Sequence, residues 1–403
     1  MNSGLITNID TAIDLDYYAK FIAGKTALVA QGGGQRSIFT SGVLDAFLLS
    51  NFDPFDEFFG TSAGALNLCA YLCRDKGLGR SFVLDLTTAP EFFNLFSYIR
   101  HRKNLGLEWA LEQIMAYPYK LDLDLGRQTL GARQLFAAVT DSKDLQDHYF
   151  PLLGEDWYKV MIATCAIPRL YNDEILIGNG TYVDGGVSAA IPVQEAWRRQ
   201  ARSIVVIRTE PTFESNVDLP IQDHNKPILA KSNRASVEEL EWFRGSLNNV
   251  QGHWQQKVDQ WKTDWSSFFQ QQILSSKEQK RDRVHLDLLN GGRWLFGADD
   301  IYRLSHLIGD KFDSGLADML MVHYQTYSLT QNFLNSPPDD AFVVQIAPSQ
   351  PLKSSSLMSD KEDLLHDYEL GLEAGYRFVE TYTSTENARS SHMSQLATSV
   401  VDK

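Results

Sequence analysis

The sequence predicts an α/β fold whose central sheet is mostly parallel, and three observations predict it. Residues 26–31 (TALVAQ) form a short apolar run of strand length that ends in Gly32, Gly33 and Gly34. Residues 41–50 follow with Val43, Leu44, Phe47 and Leu48 at helical spacing. The order then repeats: residues 55–59 run into Gly60, and residues 63–72 read as an apolar helix. Parallel neighbours cannot be joined by a tight hairpin, so strand, glycine turn and helix in succession imply crossover connections.

The remaining elements are read in chain order. Residues 1–24 are a polar lead-in with little periodicity. Later strand candidates are 135–140, 158–164, 181–184, 203–208 and 342–346, the last after the turn signal Pro337-Pro338-Asp339-Asp340. After 209–211 the composition changes. Residues 212–310 are rich in Gln, Trp, Lys and Asp and lose strand character, which reads as a helical insertion. Within it Val250, Trp254, Val258, Trp261, Trp265 and Phe268 share one helix face, opposite Gln256, Lys257, Asp259, Gln260 and Lys262. Such a 250–268 aromatic face either docks on the rest of the protein or meets a membrane interface as a peripheral contact or lid, and the mixed charge favours docking. Residues 383–403 are Ser/Thr-rich and are expected to fray as a polar tail.

Composition narrows the classes of function. The chain has 403 residues and a net charge of −14, opposite in sign to the basic surplus of a nucleic-acid binder, so no nucleic-acid partner is expected. Three cysteines cannot build a disulfide framework, which points to a reducing compartment. The first twenty residues carry acids where a secretory signal needs a basic start and an apolar run. No apolar stretch reaches the roughly 18 residues of a membrane span. The expectation is a cytoplasmic protein with at most peripheral membrane contact.

Three motifs could carry chemistry. Gly60-Thr61-Ser62-Ala63-Gly64 is a G-x-S-x-G between a strand and a helix, where small neighbours let a sharp turn lift the Ser62 hydroxyl beside a helix N-terminus. With 27 glycines present, an accidental match is roughly a one-in-seven event, so its place in the fold matters more than the pentapeptide. Gly32-Gly33-Gly34-Gln35-Arg36 can converge backbone N–H groups on one anion, either a phosphate or the oxyanion of an acyl intermediate. A dinucleotide fingerprint would place glycine where Ser37 stands. Asp184 closes a strand in Tyr182-Val183-Asp184-Gly185-Gly186, either as a base with space cleared around it or as a plain Asx turn. His306 would complete a Ser…Asp…His order but sits in a helical pattern where a histidine is usually structural. Asp122 and Asp124 read as a solvated loop rather than a cation site, and Cys69 and Cys73, four apart in an apolar helix, as core residues.

Taken together and in order, GGG-x-R after the first strand, G-T-S-A-G after the second and D-G-G after a later one resemble the patatin-like phospholipase family. The matching stretches are 30–36, 60–64 and 182–193, with Ala166-Ile167-Pro168 resembling the segment before D-G-G. Asp367-Tyr368-Glu369-Leu370-Gly371 and Gly375 resemble the close of bacterial members. The resemblance implies a three-layer α/β/α domain over 25–211 and 311–382, interrupted by the insertion. It implies a hydrolase acting on carboxylic esters of lipids, of the phospholipase A or lysophospholipase kind, with neither cofactor nor metal. By position Ser62 would be the nucleophile, Asp184 the base, and Gly33, Gly34 and the Arg36 backbone the oxyanion hole, with Gly32 shaping the loop. Ser37 departs from the family's usual glycine and would tighten the loop or shift its donors. Rival readings are an acyltransferase or thioesterase using the same serine, a nucleotide binder using the glycine loop, and an inactive lipid-binding scaffold.

Overall fold

The computed structural model of the chain describes residues 24–94, 105–168, 170–171, 174–212 and 314–401. The lead-in up to residue 23 and residues 213–313, which include the 250–268 face and His306, lie outside the described residues.

Eight strands form one sheet: β1 (Lys25–Ala30), β2 (Glu57–Thr61), β3 (Gln134–Asp141), β4 (Asp147–Pro151), β5 (Ile175–Ile177), β6 (Gly180–Asp184), β7 (Ala201–Ile207) and β8 (Phe342–Ile346). Their order is β5-β6-β3-β2-β1-β7-β8, with β4 pairing β3 off this path. Pairs β1–β2, β2–β3, β1–β7 and β7–β8 are parallel, and β3–β4, β3–β6 and β5–β6 are antiparallel. The middles of the central strands are apolar because both faces are covered. Leu28 and Ala30 of β1 point into one core with Val205 and Ile207, whereas Ala27 and Val29 join Ile204 and Val206 in a second core. This alternation builds the three-layer α/β/α arrangement.

Helices α1 (Ile38–Leu49), α2 (Ala63–Leu72), α3 (Leu107–Ile114), α4 (Leu123–Leu130), α5 (Trp157–Cys165), α6 (Val193–Arg198), α7 (Ser314–Asn335) and α8 (Lys361–Val401) flank the sheet. α1, α2, α5 and α8 contribute to the first core, and α6 and α7 to the second. α8 lies against α1 at backbone distance: a Cβ at Gly42 would stand 2.6 Å from the Leu372 nitrogen, and one at Gly371 would overlap the Phe39 carbonyl. Phe378 and Tyr382 of α8 then meet Phe52 edge to face, at centroid distances of 5.9 and 5.0 Å. A fully buried ring of this kind contributes about 1.5–3 kcal/mol. Tyr368 donates its hydroxyl to Asp45 at 2.8 Å, and the fully buried Asp367 accepts from the Ser354 backbone at 2.7 Å.

Two expectations are corrected. Residues 158–164 are not a strand but most of α5. Trp157, Val160, Met161 and Thr164 are buried at helical spacing while Tyr158 and Lys159 face solvent, a pattern of period 3.6 rather than 2. Residues 383–401, expected as a frayed polar tail, are helical and continue α8, since the stretch holds neither glycine nor proline to stop it. No helix among the described residues is long and apolar enough to cross a membrane.

Candidate active site

The site is built at the C-terminal edge of β2. Thr61 ends the strand, α2 begins at Ala63, and Ser62 between them has φ 53° and ψ −129°. A non-glycine residue there costs about 1–3 kcal/mol and persists only where its surroundings over-determine it. They do. The Ser62 N–H donates to Thr164 Oγ1 at 2.9 Å, and that hydroxyl donates onward to the Ala138 carbonyl at 2.6 Å. Thr61 Oγ1 donates to the Ala189 carbonyl at 2.7 Å. The two motif glycines are required by close approach, because a Cβ at Gly60 would lie 2.5 Å from Ala65 Cα and one at Gly64 2.5 Å from the Gln31 carbonyl oxygen. Ser62 sits 8% exposed at the N-terminus of α2, where the helix dipole favours developing negative charge.

Asp184 ends β6, opposite Val139 of β3. Its N–H donates to the Ala166 carbonyl at 3.0 Å and its own carbonyl accepts from Thr140 Oγ1 at 2.9 Å, so the backbone is pinned on both sides. Its Oδ1 accepts the Gly186 N–H at 2.6 Å. Burial pushes the carboxyl up from 3.8 to about 7, against the lowering pull of the Gly186 N–H and the Ser62 hydroxyl. Ser62 and Asp184 are thus brought together. Cys165, at the end of α5, interacts with Ser62 beside them; burial raises its thiol far above the usual range and the Asp184 charge adds to this. It is therefore no thiolate rival to the serine hydroxyl.

The glycine loop closes the other side. Gly32 donates its N–H to Ala190 at 3.1 Å and accepts from Thr209 Oγ1 at 3.2 Å, which sets the course of the loop. Gly34 has φ 57°, and a Cβ on it would overlap the Ser356 carbonyl oxygen. A tight turn over Gly34–Ser37 follows and consumes one expected donor: the Arg36 N–H bonds the Gly33 carbonyl at 3.2 Å. The Arg36 backbone, expected to line an anion site, thus spends its N–H within the turn. The Gly33 and Gly34 amides make no hydrogen bond among the described residues and stay available to an anion. Ser37 is fully buried, its carbonyl held by Asn67 Nδ2 at 3.1 Å.

Several contributors carried no motif. Thr164 and Cys165 belong to the helix mistaken for a strand, and His323 of α7 reaches the Asp184 turn, its Nδ1 lying 2.6 Å from the Gly186 carbonyl oxygen. Elsewhere Asp122 caps α4 through the Leu125 N–H and Asp124 pairs with Arg127 at 2.7 Å, while Cys69 and Cys73 are buried in the core.

With this geometry in view, residues 28–197 match the family model described as patatin-like phospholipase. Residues 28–197 are a patatin-like phospholipase domain. The patatin-like domain therefore belongs with lipid acyl hydrolases. Residues 313–386, expected to be part of the same domain, match a different model, a domain of unknown function designated DUF6363, although β8 and α8 pack into the same fold. The chain is 29% identical over 362 residues to the uncharacterized protein YjjU of Escherichia coli (strain K12), covering 90% of this chain and 79% of that one. A crystal structure of VipD from Legionella pneumophila matches with 12% identity over 79% of this chain and 71% of that one, at a TM-score of 0.31.

Proposed function

We propose that the patatin-like domain hydrolyses carboxylic esters of lipids through a Ser62–Asp184 dyad and an acyl-enzyme. The observation that carries this is Ser62 at positive φ on a strand–helix elbow, its hydroxyl interacting with a buried carboxylate raised to about 7. An ordinary aspartate is too weak a base to help a serine at neutral pH. A carboxylate near 7 is close to the optimum for a general base, so no histidine is needed.

In the first half-reaction Ser62 Oγ attacks the ester carbonyl carbon while its proton passes to Asp184, and the carbonyl oxygen takes up the electron pair. The Gly33 and Gly34 amides and the start of α2 support that oxyanion. As the oxyanion collapses, the bond to the alcohol breaks and Asp184 returns the proton to the leaving oxygen. Water then donates a proton to Asp184 and attacks the acyl carbon. The carboxylic acid leaves and Ser62 recovers its proton. An alcohol in place of that water would give acyl transfer by the same steps. Lipid is the favoured substrate class because the domain's family acts on it and because an apolar chain over the site keeps Asp184 desolvated.

The test is fluorophosphonate labelling of the full chain with mass-spectrometric mapping, alongside hydrolysis of a short-chain ester and a phospholipid. Labelling at Ser62, and its loss with turnover in Ser62→Ala, are expected. A mutant that turns over at the wild-type rate would sink the proposal.

A further inference from the structure

The turn that carries Asp184 and the loop that carries Gly33 and Gly34 lie far apart in sequence, yet a single helix face holds both. His323 and Tyr327 are one turn apart on α7. A carbonyl oxygen can only accept, so His323 donates Nδ1–H to the Gly186 carbonyl at 2.6 Å, which sets its tautomer. The Tyr327 ring stacks on the His323 ring with centroids 5.7 Å apart and planes 23° apart. The Tyr327 hydroxyl donates to Glu210 Oε2, and Glu210 Oε1 pairs with Arg36 Nη1 at 2.9 Å. Arg36 stands two residues beyond Gly34, the second of the two amides assigned to the oxyanion. The chain of contacts therefore runs Gly186, His323, Tyr327, Glu210, Arg36.

Its electrostatics suit a rigid strut. Burial would raise the Glu210 carboxyl, but the Arg36 charge, the Tyr327 hydroxyl and Arg208 outweigh it and hold it ionised below its usual range. Burial lowers His323 despite its bond to Gly186 and the Glu210 charge, so the ring stays neutral at neutral pH. Gly186 is where the strut matters. Its N–H holds Asp184 Oδ1 at 2.6 Å, and as a glycine it has soft torsions on both sides. Anchoring its carbonyl from α7 restrains the C-terminal side of Gly186, which limits how far the residue that presents this N–H to the carboxylate can drift.

We propose that His323 and Tyr327 are positioning residues that hold the Asp184 turn and the glycine loop in catalytic register, which makes the 313–386 segment part of the active-site apparatus. This rests on the Ser62–Asp184 assignment. Misplacement of a catalytic group by about 1 Å can cost on the order of 10²-fold in rate. His323→Leu fills the same space without a donor, so kcat should fall on the order of 10- to 10²-fold with KM little changed. In His323→Asn the amide nitrogen takes the place of Nδ1, and most of the lost rate should return. Tyr327→Phe keeps the stacked ring and removes the hydroxyl, and its kcat should fall severalfold.

Hydrogen exchange in the full chain reads the same coupling without turnover. His323→Leu should speed exchange of amides in 182–190, and Tyr327→Phe those in 30–38. A folded His323→Leu with wild-type kcat and wild-type exchange in 182–190 overturns the inference. So does an Asn variant as slow as the Leu variant at equal Tm, because the effect would then not be the hydrogen bond. Were the Leu variant unfolded, Tyr327→Phe with unchanged kcat and exchange would overturn it alone. If Ser62→Ala hydrolyses esters like the wild type, the catalytic assignment falls instead, and exchange still decides whether α7 holds the two loops.

Discussion

Replacing Asp184 with asparagine should remove most activity and stabilise the protein at high pH, both for the same reason. The carboxyl rises from 3.8 to about 7 on folding, so between those values the native state holds a proton that the unfolded chain has released. Stability therefore falls as pH rises through this window. The contribution is fully present below about 3.8 and lost above about 7. The difference is worth about 4 kcal/mol at 1.36 kcal/mol per pH unit, and the group is only 6% exposed, so solvent does not screen it away. Asparagine has no proton to lose, and its side-chain oxygen can still accept the Gly186 N–H. The variant should thus gain on the wild type by up to about 4 kcal/mol between pH 4 and pH 8. Over the same range wild-type kcat/KM should rise with pH through one ionisation near 7, because only the carboxylate can take the Ser62 proton. The variant should lose about 10²–10⁴ in rate together with that bend. Urea unfolding of both proteins at half-unit steps of pH, with ester hydrolysis in parallel, measures both quantities. A stability difference that stays flat across pH 4–8, or a wild-type rate with no inflection near 7, would refute the assignment of the proton to Asp184.

The other expectations follow from single contacts. Ser62→Gly should be inactive yet more stable than the wild type by roughly 1–3 kcal/mol, because glycine relieves the strain at φ 53°; lower stability in thermal unfolding would count against a strained elbow. Thr164→Val leaves the Ser62 N–H buried without its acceptor, so it should cost about 1–3 kcal/mol and lower kcat, as chemical denaturation and turnover would show. Gly34→Ala requires a side chain at φ 57° against the Ser356 carbonyl, and the displaced amide should cost on the order of 10²–10³ in rate. Circular dichroism of the same preparation separates that loss from unfolding, and a well-folded Gly34→Ala with normal turnover would remove this amide from the oxyanion site.

What could be read from the sequence was what backbone sterics demand locally. Glycines at 34, 60, 64 and 185 stand where a positive φ or a backbone contact leaves no room for a Cβ, and such constraints are written in adjacent letters. Strands β1, β2, β3, β7 and β8 were legible for a similar reason, as short apolar runs stopped by turn residues. The 158–164 segment was not, because a short apolar run satisfies strand and buried helix alike, and only its neighbours decide. That error concealed Thr164 and Cys165. Arg36 shows another limit: the motif predicts its place but not that a tight turn would use its amide and leave its guanidinium to Glu210.

His323, Tyr327 and Glu210 left no trace of any kind, since a side chain that bonds a backbone carbonyl more than a hundred residues away imposes no local pattern. Physical chemistry nonetheless says that something must stand there. In a three-residue arrangement the base is oriented by a third group, which leaves its environment less to do. A lone aspartate has only its own backbone and its hydrogen-bond donors. Asp184 takes one donor from Gly186, the most torsionally free residue type, so its aim is only as firm as whatever holds that glycine. α7 supplies the hold from outside the patatin-like segment, and the same helix face secures the glycine loop through Tyr327, Glu210 and Arg36. If Ser62 and Asp184 are the catalytic pair, the demand for orientation falls on the scaffold, and alignment then depends on the C-terminal segment as well as on the motifs.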